Sequence, residues 1–291
     1  MRRAWKWTKH QVDKLKEVKK ILIELSDYAP LTLRQIYYQL VGKGHIENRD
    51  SQYIMLSGLL KWARIDGYIE WDDIEDRVRV YDEIWNFDDS GSFILDEQDR
   101  FLEGYQRDFQ QSQPSHIEVW IEKDALSSIF TKTCRPYGIS TVVCRGFSSV
   151  SFLHQFQDRL VKHEGQEPVM LYFGDFDPSG MEMLESMKTT LEDELGVNGI
   201  TFKRIALSQD DVITYSLPHN PKALKKKDTR AKKHVEAYGE MAVEIDALRP
   251  DVLVEKIEEA IVNELDVGAY NQEIQSYKAE LAELAGLKKK A

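Results

Sequence analysis

Four short apolar runs recur between residues 117 and 207, separated by segments with helical character, and this alternation constrains the fold more than any other feature. Ile117 to Ile121, Ser140 to Cys144, Val169 to Phe173 and Ile200 to Leu207 read as strands. Asp124 to Thr133, Ser149 to Val161 and Gly180 to Leu195 read as the helices between them. Alternating β and α segments at this spacing predict a parallel sheet with right-handed crossovers. Val169-Met170-Leu171-Tyr172-Phe173 has no polar position, as expected for a strand covered on both faces.

The sequence before this region has a different period. Lys9 to Leu25 places Val12, Leu15, Val18, Ile21, Leu22 and Leu25 at helical spacing, and Asp27-Tyr28-Ala29-Pro30 breaks the pattern. Thr32 is placed to cap a second helix running to Gly42 or Gly44, and a third begins near Asp50 or Ser51. A short strand Tyr68–Trp71, an acidic turn and a second strand Arg77–Tyr81 follow. Helix, turn, helix and two-stranded ribbon is the order of a winged helix-turn-helix. Residues 86–115 are polar and read as a linker. The segments Asp251 to Leu265 and Ala269 to Leu287 read as charged C-terminal helices.

Charge is distributed unevenly over the 291 residues. The net charge is −11, yet residues 1–64 carry 13 Lys/Arg against 6 Asp/Glu, leaving 26 against 44 for the rest. A second basic island runs from Lys203 to Lys233, with 9 basic and 3 acidic residues. Basic segments on an acidic protein can grip phosphates locally. No apolar run approaches the length of a membrane span, and the first residues lack the apolar stretch of a signal peptide. The two cysteines, Cys134 and Cys144, have neither disulfide-framework nor zinc spacing, so a cytoplasmic protein is expected, nucleoid-associated if it acts on DNA, with any metal held by carboxylates.

Carboxylates stand where such a sheet binds ligands, at the carboxyl ends of its strands. The first strand ends in Glu122-Lys123-Asp124 and the third in Gly174-Asp175-Phe176-Asp177-Pro178-Ser179-Gly180. Asp175 and Asp177 lie two apart on an extended segment, so both can face one cation, and Glu122 joins them if the two strands are neighbours. Hard oxygen donors suit Mg²⁺, with Mn²⁺ as a substitute. The alternative is that the two aspartates are only a helix cap and a turn residue.

The segments Ile117–Asp124 (IEVWIEKD), Cys144–Ser148 (CRGFS) and Leu171–Gly180 (LYFGDFDPSG) resemble the three motifs of the TOPRIM domain found in topoisomerases, primases and some nucleases. The resemblance implies Mg²⁺-assisted breakage or formation of phosphodiester bonds. Glu122 would act as acid/base or metal ligand, Asp175 and Asp177 as metal ligands, and Gly146 as the turn glycine. A TOPRIM domain behind a winged helix is the layout of the topoisomerase VI A subunit and the related meiotic recombination initiator. Leu31–Leu40 (LTLRQIYYQL) resembles the segment that carries that family's nucleophile, with Tyr38 in its position and Arg34 four residues before it. The expected architecture is therefore α/β: a winged helix-turn-helix over 1–85, a linker over 86–115, and a Rossmann-like TOPRIM domain with C-terminal helices over 116–291.

Helix geometry bears on the same tyrosine. Leu33, Ile36, Tyr37 and Leu40 form one stripe, which makes Tyr37 a core residue and turns Tyr38 toward solvent with Arg34 beside it. The expected chemistry is attack of Tyr38 on a DNA phosphorus to leave a reversible tyrosyl–DNA link. The resemblance further implies a homodimer in which one subunit's tyrosine meets the other's metal. No Gly-rich phosphate loop is present, so ATP-driven strand passage would require a separate ATPase subunit. Two other readings stand beside this one: a hydrolytic nuclease in which water attacks and Tyr38 is a surface residue, and a non-cleaving DNA-binding accessory protein.

Lesser features remain open at this level. Met241 to Leu248 alternates like a strand, with Glu244 and Asp246 on one face, as a second metal site or as the solvated side of an edge strand. Lys123, the Lys225-Lys226-Lys227 run and Arg230 are candidate DNA contacts. Trp62 and Trp71 read as packing residues of the wing.

Overall fold

Threonine caps open the first two helices of the computed structural model, which describes residues 5–75, 85–220, 223–224 and 229–288. The side chains of Thr8 and Thr32 accept the backbone N–H of Gln11 and Gln35, and both glutamines reach back to the cap N–H. These capping boxes fix the starts of α1 (Lys9–Glu24) and α2 (Leu33–Gly42). Two-residue β1 (Leu31–Thr32) precedes α2 and pairs in parallel with β2 (Ile74–Glu75), beyond α3 (Asp50–Ile65). The helices pack through Leu15, Val18 and Ile21 of α1, Ile36 and Leu40 of α2, and Leu56, Leu59 and Ala63 of α3.

The expected strand at Tyr68–Trp71 is absent. Gly67, at φ 74°, ends α3 in the left-handed region, and the Tyr68 N–H turns back to the Ala63 carbonyl at 2.8 Å. That helix-closing bond takes the backbone group a strand would have offered, and a 3₁₀ turn occupies Trp71–Asp73. Arg77–Tyr81, the other expected strand of the ribbon, lies outside the described residues. The polar stretch read as a linker contains a helix, α4 (Ser90–Asp99), whose Asp89 cap accepts the Ser92 N–H at 2.8 Å. It buries no side chain, which is why its periodicity was invisible in the sequence.

The central sheet contains β3 (Ser115–Ile121), β4 (Ser140–Val143), β5 (Glu167–Phe173) and β6 (Thr201–Ala206). They lie in the order β4-β3-β5-β6, all parallel, as the alternation predicts. Because strand side chains alternate, Ile117, Val119, Ile121, Leu171 and Phe173 join one buried cluster with α5 (Ser127–Cys134) and α10 (Pro250–Val262). Trp120, Met170 and Tyr172 join the other with α6 (Val150–Val161) and α7 (Pro178–Thr189). The first cluster is continuous with the core of α1 to α3. Helices α8 (Gln209–Thr214), α9 (Thr229–Tyr238) and α11 (Val267–Lys288) complete the chain. No helix among the described residues is long and apolar enough to cross a membrane.

One polar pair crosses the second cluster. Glu118 of β3 is buried and accepts Arg159 Nε at 2.6 Å, Arg159 Nη2 at 2.9 Å and Trp120 Nε1 at 3.0 Å. Burial alone would raise the Glu118 pKa, but the Arg159 hydrogen bonds and the nearby His116 hold it below its ordinary value. Arg159→Leu would leave the carboxylate unpaired, at a cost of about 3 kcal/mol, lowered by the partial exposure of Arg159. A depressed folded-state pKa gives stability that is present above the unfolded value of 4.5 and lost as pH falls through the folded one. Urea melts should therefore show the full Arg159→Leu deficit at neutral pH and a shrinking deficit in acid.

Candidate active site

The strand order itself creates the site. From β3 the chain crosses to β4 on one side and later to β5 on the other, so the crevice at the carboxyl ends of β3 and β5 is a topological switch point. Glu122 leaves β3 there, its N–H on the Phe173 carbonyl at 2.9 Å, and Glu122 Oε2 accepts the Asp175 N–H at 2.8 Å. The two strand ends are thus neighbours, and the three carboxylates of the sequence reading stand at one edge. On the other side of β3 the Arg145 N–H meets the Glu122 carbonyl at 3.0 Å, and Gly146 takes φ 99°, a left-handed turn that suits glycine.

Asp177 caps α7, accepting the Gly180 N–H at 2.7 Å. Backbones pack so closely here that a Cβ on Gly180 would stand 2.3 Å from the Asp175 carbonyl oxygen, so only glycine fits. Arg204 of β6 secures the same loop. Its guanidinium donates to the carbonyls of Asp175 at 2.5 Å, Gly180 at 3.0 Å, Gly174 at 3.1 Å and Leu207 at 3.0 Å. Nothing in the sequence singled out Arg204, which reads as an ordinary strand cation.

Lys123 is the larger surprise. Its Nζ lies 3.0 Å from Asp175 Oδ1, 2.8 Å from Glu244 Oε2 and 2.7 Å from Asp246 Oδ2. Burial opposes its charge, but Asp246, Asp175 and Glu244 together raise its pKa well above the usual lysine value. The expected DNA contact is therefore an internal counter-ion. Met241–Leu248 forms no strand. A single bridge joins Val243 to Phe176, the Ile245 N–H is taken by Asp175 Oδ1 at 2.8 Å, and Ile245–Ala247 winds into a 3₁₀ turn. The alternation was real nonetheless, because Glu244 and Asp246 face one side and share Lys123. Glu244 also pairs with Arg34 and accepts Asn220 Nδ2 at 2.9 Å. Burial would raise its pKa, but Lys123 and Arg34 bring it down to about 2.

One ammonium cannot neutralise three carboxylates. Asp175, although bonded to Lys123, has its pKa pushed well above the carboxylate range by burial and by the charges of Glu122 and Asp246. Burial likewise raises Glu122 despite the Asp175 N–H. Glu122, Asp175, Asp177, Glu244 and Asp246 crowd five carboxyl groups around Arg34 and Lys123, while Arg204 spends its hydrogen bonds on carbonyls. Asp246 Oδ1 is buried with no hydrogen-bond partner among the described residues. Among those residues no three Asp, Glu, His or Cys side chains stand as a ready metal cage. The crowding of carboxyl groups, which raises Glu122 and Asp175, and the hard oxygen donors nevertheless fit a divalent cation held by Glu122, Asp175 and Asp177.

Tyr38 is not turned to solvent. It is only 4% exposed, because α2 is buried on several sides at once: Gln35 through Leu40 are all buried, and the stripe argument allowed for one face only. The extra cover includes the Ile245–Ala247 turn, supplied by a distant part of the chain. Burial first, then Glu244, raises the Tyr38 pKa against the pull of Lys123 and Arg34. Tyr37 is core as expected and donates to Asn48 Oδ1 at 3.0 Å. Both tyrosines line a cavity of about 310 Å³ with Arg34, Asn48, Tyr53 and Glu244.

Of the remaining candidates, Lys225, Lys226 and Lys227 lie outside the described residues. Arg230 stands 3.6 Å from Glu182 and over the Phe147 ring. Trp62 does pack, stacked on Trp5 at 5.0 Å, whereas Trp71 is 59% exposed. No protein-family profile matches the chain, and no curated protein matches it.

Lys123→Met would leave the buried Asp175 and Asp246 without their cation, while Glu244 keeps Arg34 and Asn220. In EDTA the variant should lose about 3–5 kcal/mol of stability, and millimolar Mg²⁺ should restore part of it, as read by urea unfolding. A deficit indifferent to Mg²⁺ would count against a cation site at these residues.

Proposed function

We propose that the chain breaks and rejoins DNA phosphodiester bonds with a divalent cation, Mg²⁺ or Mn²⁺, held by Glu122, Asp175 and Asp177. The supporting observation is the crowded carboxylate cluster at the switch point of the sheet. The cation would supply charge neutralisation of the phosphate oxygens. A cleft of about 750 Å³ is lined by Glu122, Lys123, residues of α3 and the Arg145-Gly146 turn. With Tyr38 as nucleophile, a bond forms from its Oη to phosphorus as one ester P–O bond breaks. The phenol gives up its proton, the departing nucleoside oxygen gains one, and the reverse step rejoins the strand. The TOPRIM and winged-helix resemblance, the homodimer and a separate ATPase subunit belong to this same reading.

The burial of Tyr38 favours a second reading, in which water attacks and the product is a free cut end. Tyrosyl transfer requires a phosphate to reach the 4%-exposed Tyr38; hydrolysis does not. The two are separated by incubating protein with labelled supercoiled and duplex DNA and Mg²⁺, quenched in detergent. A DNA-linked protein band lost in both Tyr38→Phe and Asp175→Ala is expected for tyrosyl transfer. Free ends that survive Tyr38→Phe but not Asp175→Ala mark hydrolysis. An uncut substrate under all conditions would leave a DNA-binding accessory protein.

A further inference from the structure

The polar face of α3 forms the wall of the cleft opposite the carboxylates. Tyr53, Ser57 and Lys61 recur at one-turn spacing along it, and Arg64 follows Lys61 by three residues. Lys61 and Arg64 differ from the other cations of the cleft. Arg34 is paired with Glu244, Lys123 with three carboxylates, and Arg145 with Asp124 at 3.0 Å. Lys61 and Arg64 have no carboxylate partner among the described residues. Lys61 is exposed, with only the Trp62 ring at 5.7 Å. Arg64 Nε is buried without a hydrogen-bond acceptor, and its guanidinium lies 4.5 Å from the centre of the exposed Trp71 ring.

A buried donor without an acceptor is costly in a finished structure. An aromatic ring against one side of a guanidinium holds its plane while leaving its N–H groups to bind elsewhere. Two cations one helical turn apart match the regular charges of a sugar–phosphate strand, and a planar fork such as Arg64 suits a phosphate's two oxygens. None of the acids lining the cleft is paired with Lys61 or Arg64: Glu75 accepts Ser128 Oγ at 2.6 Å, Glu122 accepts the Asp175 N–H, Asp124 holds Arg145, and Asp246 holds Lys123.

We propose that Lys61 and Arg64, the latter braced by Trp71, form a phosphate-binding subsite for a DNA strand entering the cleft. The subsite grips backbone phosphates flanking the one at the carboxylates. It rests on the proposed function and adds a place where DNA is held without being cut. Strand position is then set from the α3 wall and chemistry from the strand ends, so the two can be separated by substitution.

The test uses the full chain in EDTA, where cutting is suppressed, with fluorescein-labelled duplex and single-stranded DNA over a salt series. Lys61→Glu should raise Kd about tenfold or more, the loss of one charge-assisted contact. It should also make the dependence of log K on log salt shallower by about 1. Arg64→Gln and Trp71→Ala should weaken binding in the same direction. Melting temperature and Mg²⁺ binding by calorimetry should stay at wild-type values in Lys61→Glu, whose side chain is exposed and unpaired. Wild-type DNA binding with an unchanged Kd and salt slope in Lys61→Glu overturns the subsite while leaving the proposed function standing. A wild-type protein that binds no DNA, or only RNA, overturns both.

Discussion

A single ammonium group ties together three parts of the chain that are far apart in sequence. Lys123 follows β3, Asp175 follows β5, and Glu244 and Asp246 lie on the segment before α10. Desolvating an ion is expensive, so this arrangement holds only while all three carboxylates converge on the lysine. Through Glu244 the constraint extends to Arg34, and so to the helix that carries Tyr38. The strand ends, the Ile245–Ala247 turn and the N-terminal helices are thereby one electrostatic unit.

That unit explains an apparent contradiction in the site. Ion pairs normally depress carboxylate pKa values, as Glu244 illustrates, yet Asp175 moves the other way. Lys123 divides its charge among three anions, while Arg204 faces the carbonyls of the Asp175 loop rather than its side chain. The result is a crowded cluster in which Asp175 holds its proton more firmly than an ordinary carboxyl.

The parallel sheet was legible because strands buried on both faces leave uninterrupted apolar runs, and the meeting of Glu122 with the Asp175 loop was legible because both follow such runs and leave neighbouring strands at one edge. Misreadings arose where distant contacts override local pattern. Tyr38 lies off the apolar stripe of α2, but the Ile245–Ala247 turn covers it. Glu244 and Asp246 alternate as in a strand, but Asp175 claims the N–H that a ladder would need. Helix α4 was hidden because it buries nothing, and Lys123 looked like a surface cation because only the folded chain gathers its partners.

The Arg34–Glu244 contact spans 210 positions of sequence. On a ribosome the N-terminal helices emerge well before the segment that covers Tyr38, since synthesis adds roughly 5–20 residues per second. For that interval α2 carries an uncovered phenol and an unpaired arginine, with the Asp175 loop still unmade. The partners of Lys123 are completed by that same late segment, so the charged cluster closes only once the chain has reached Glu244 and Asp246.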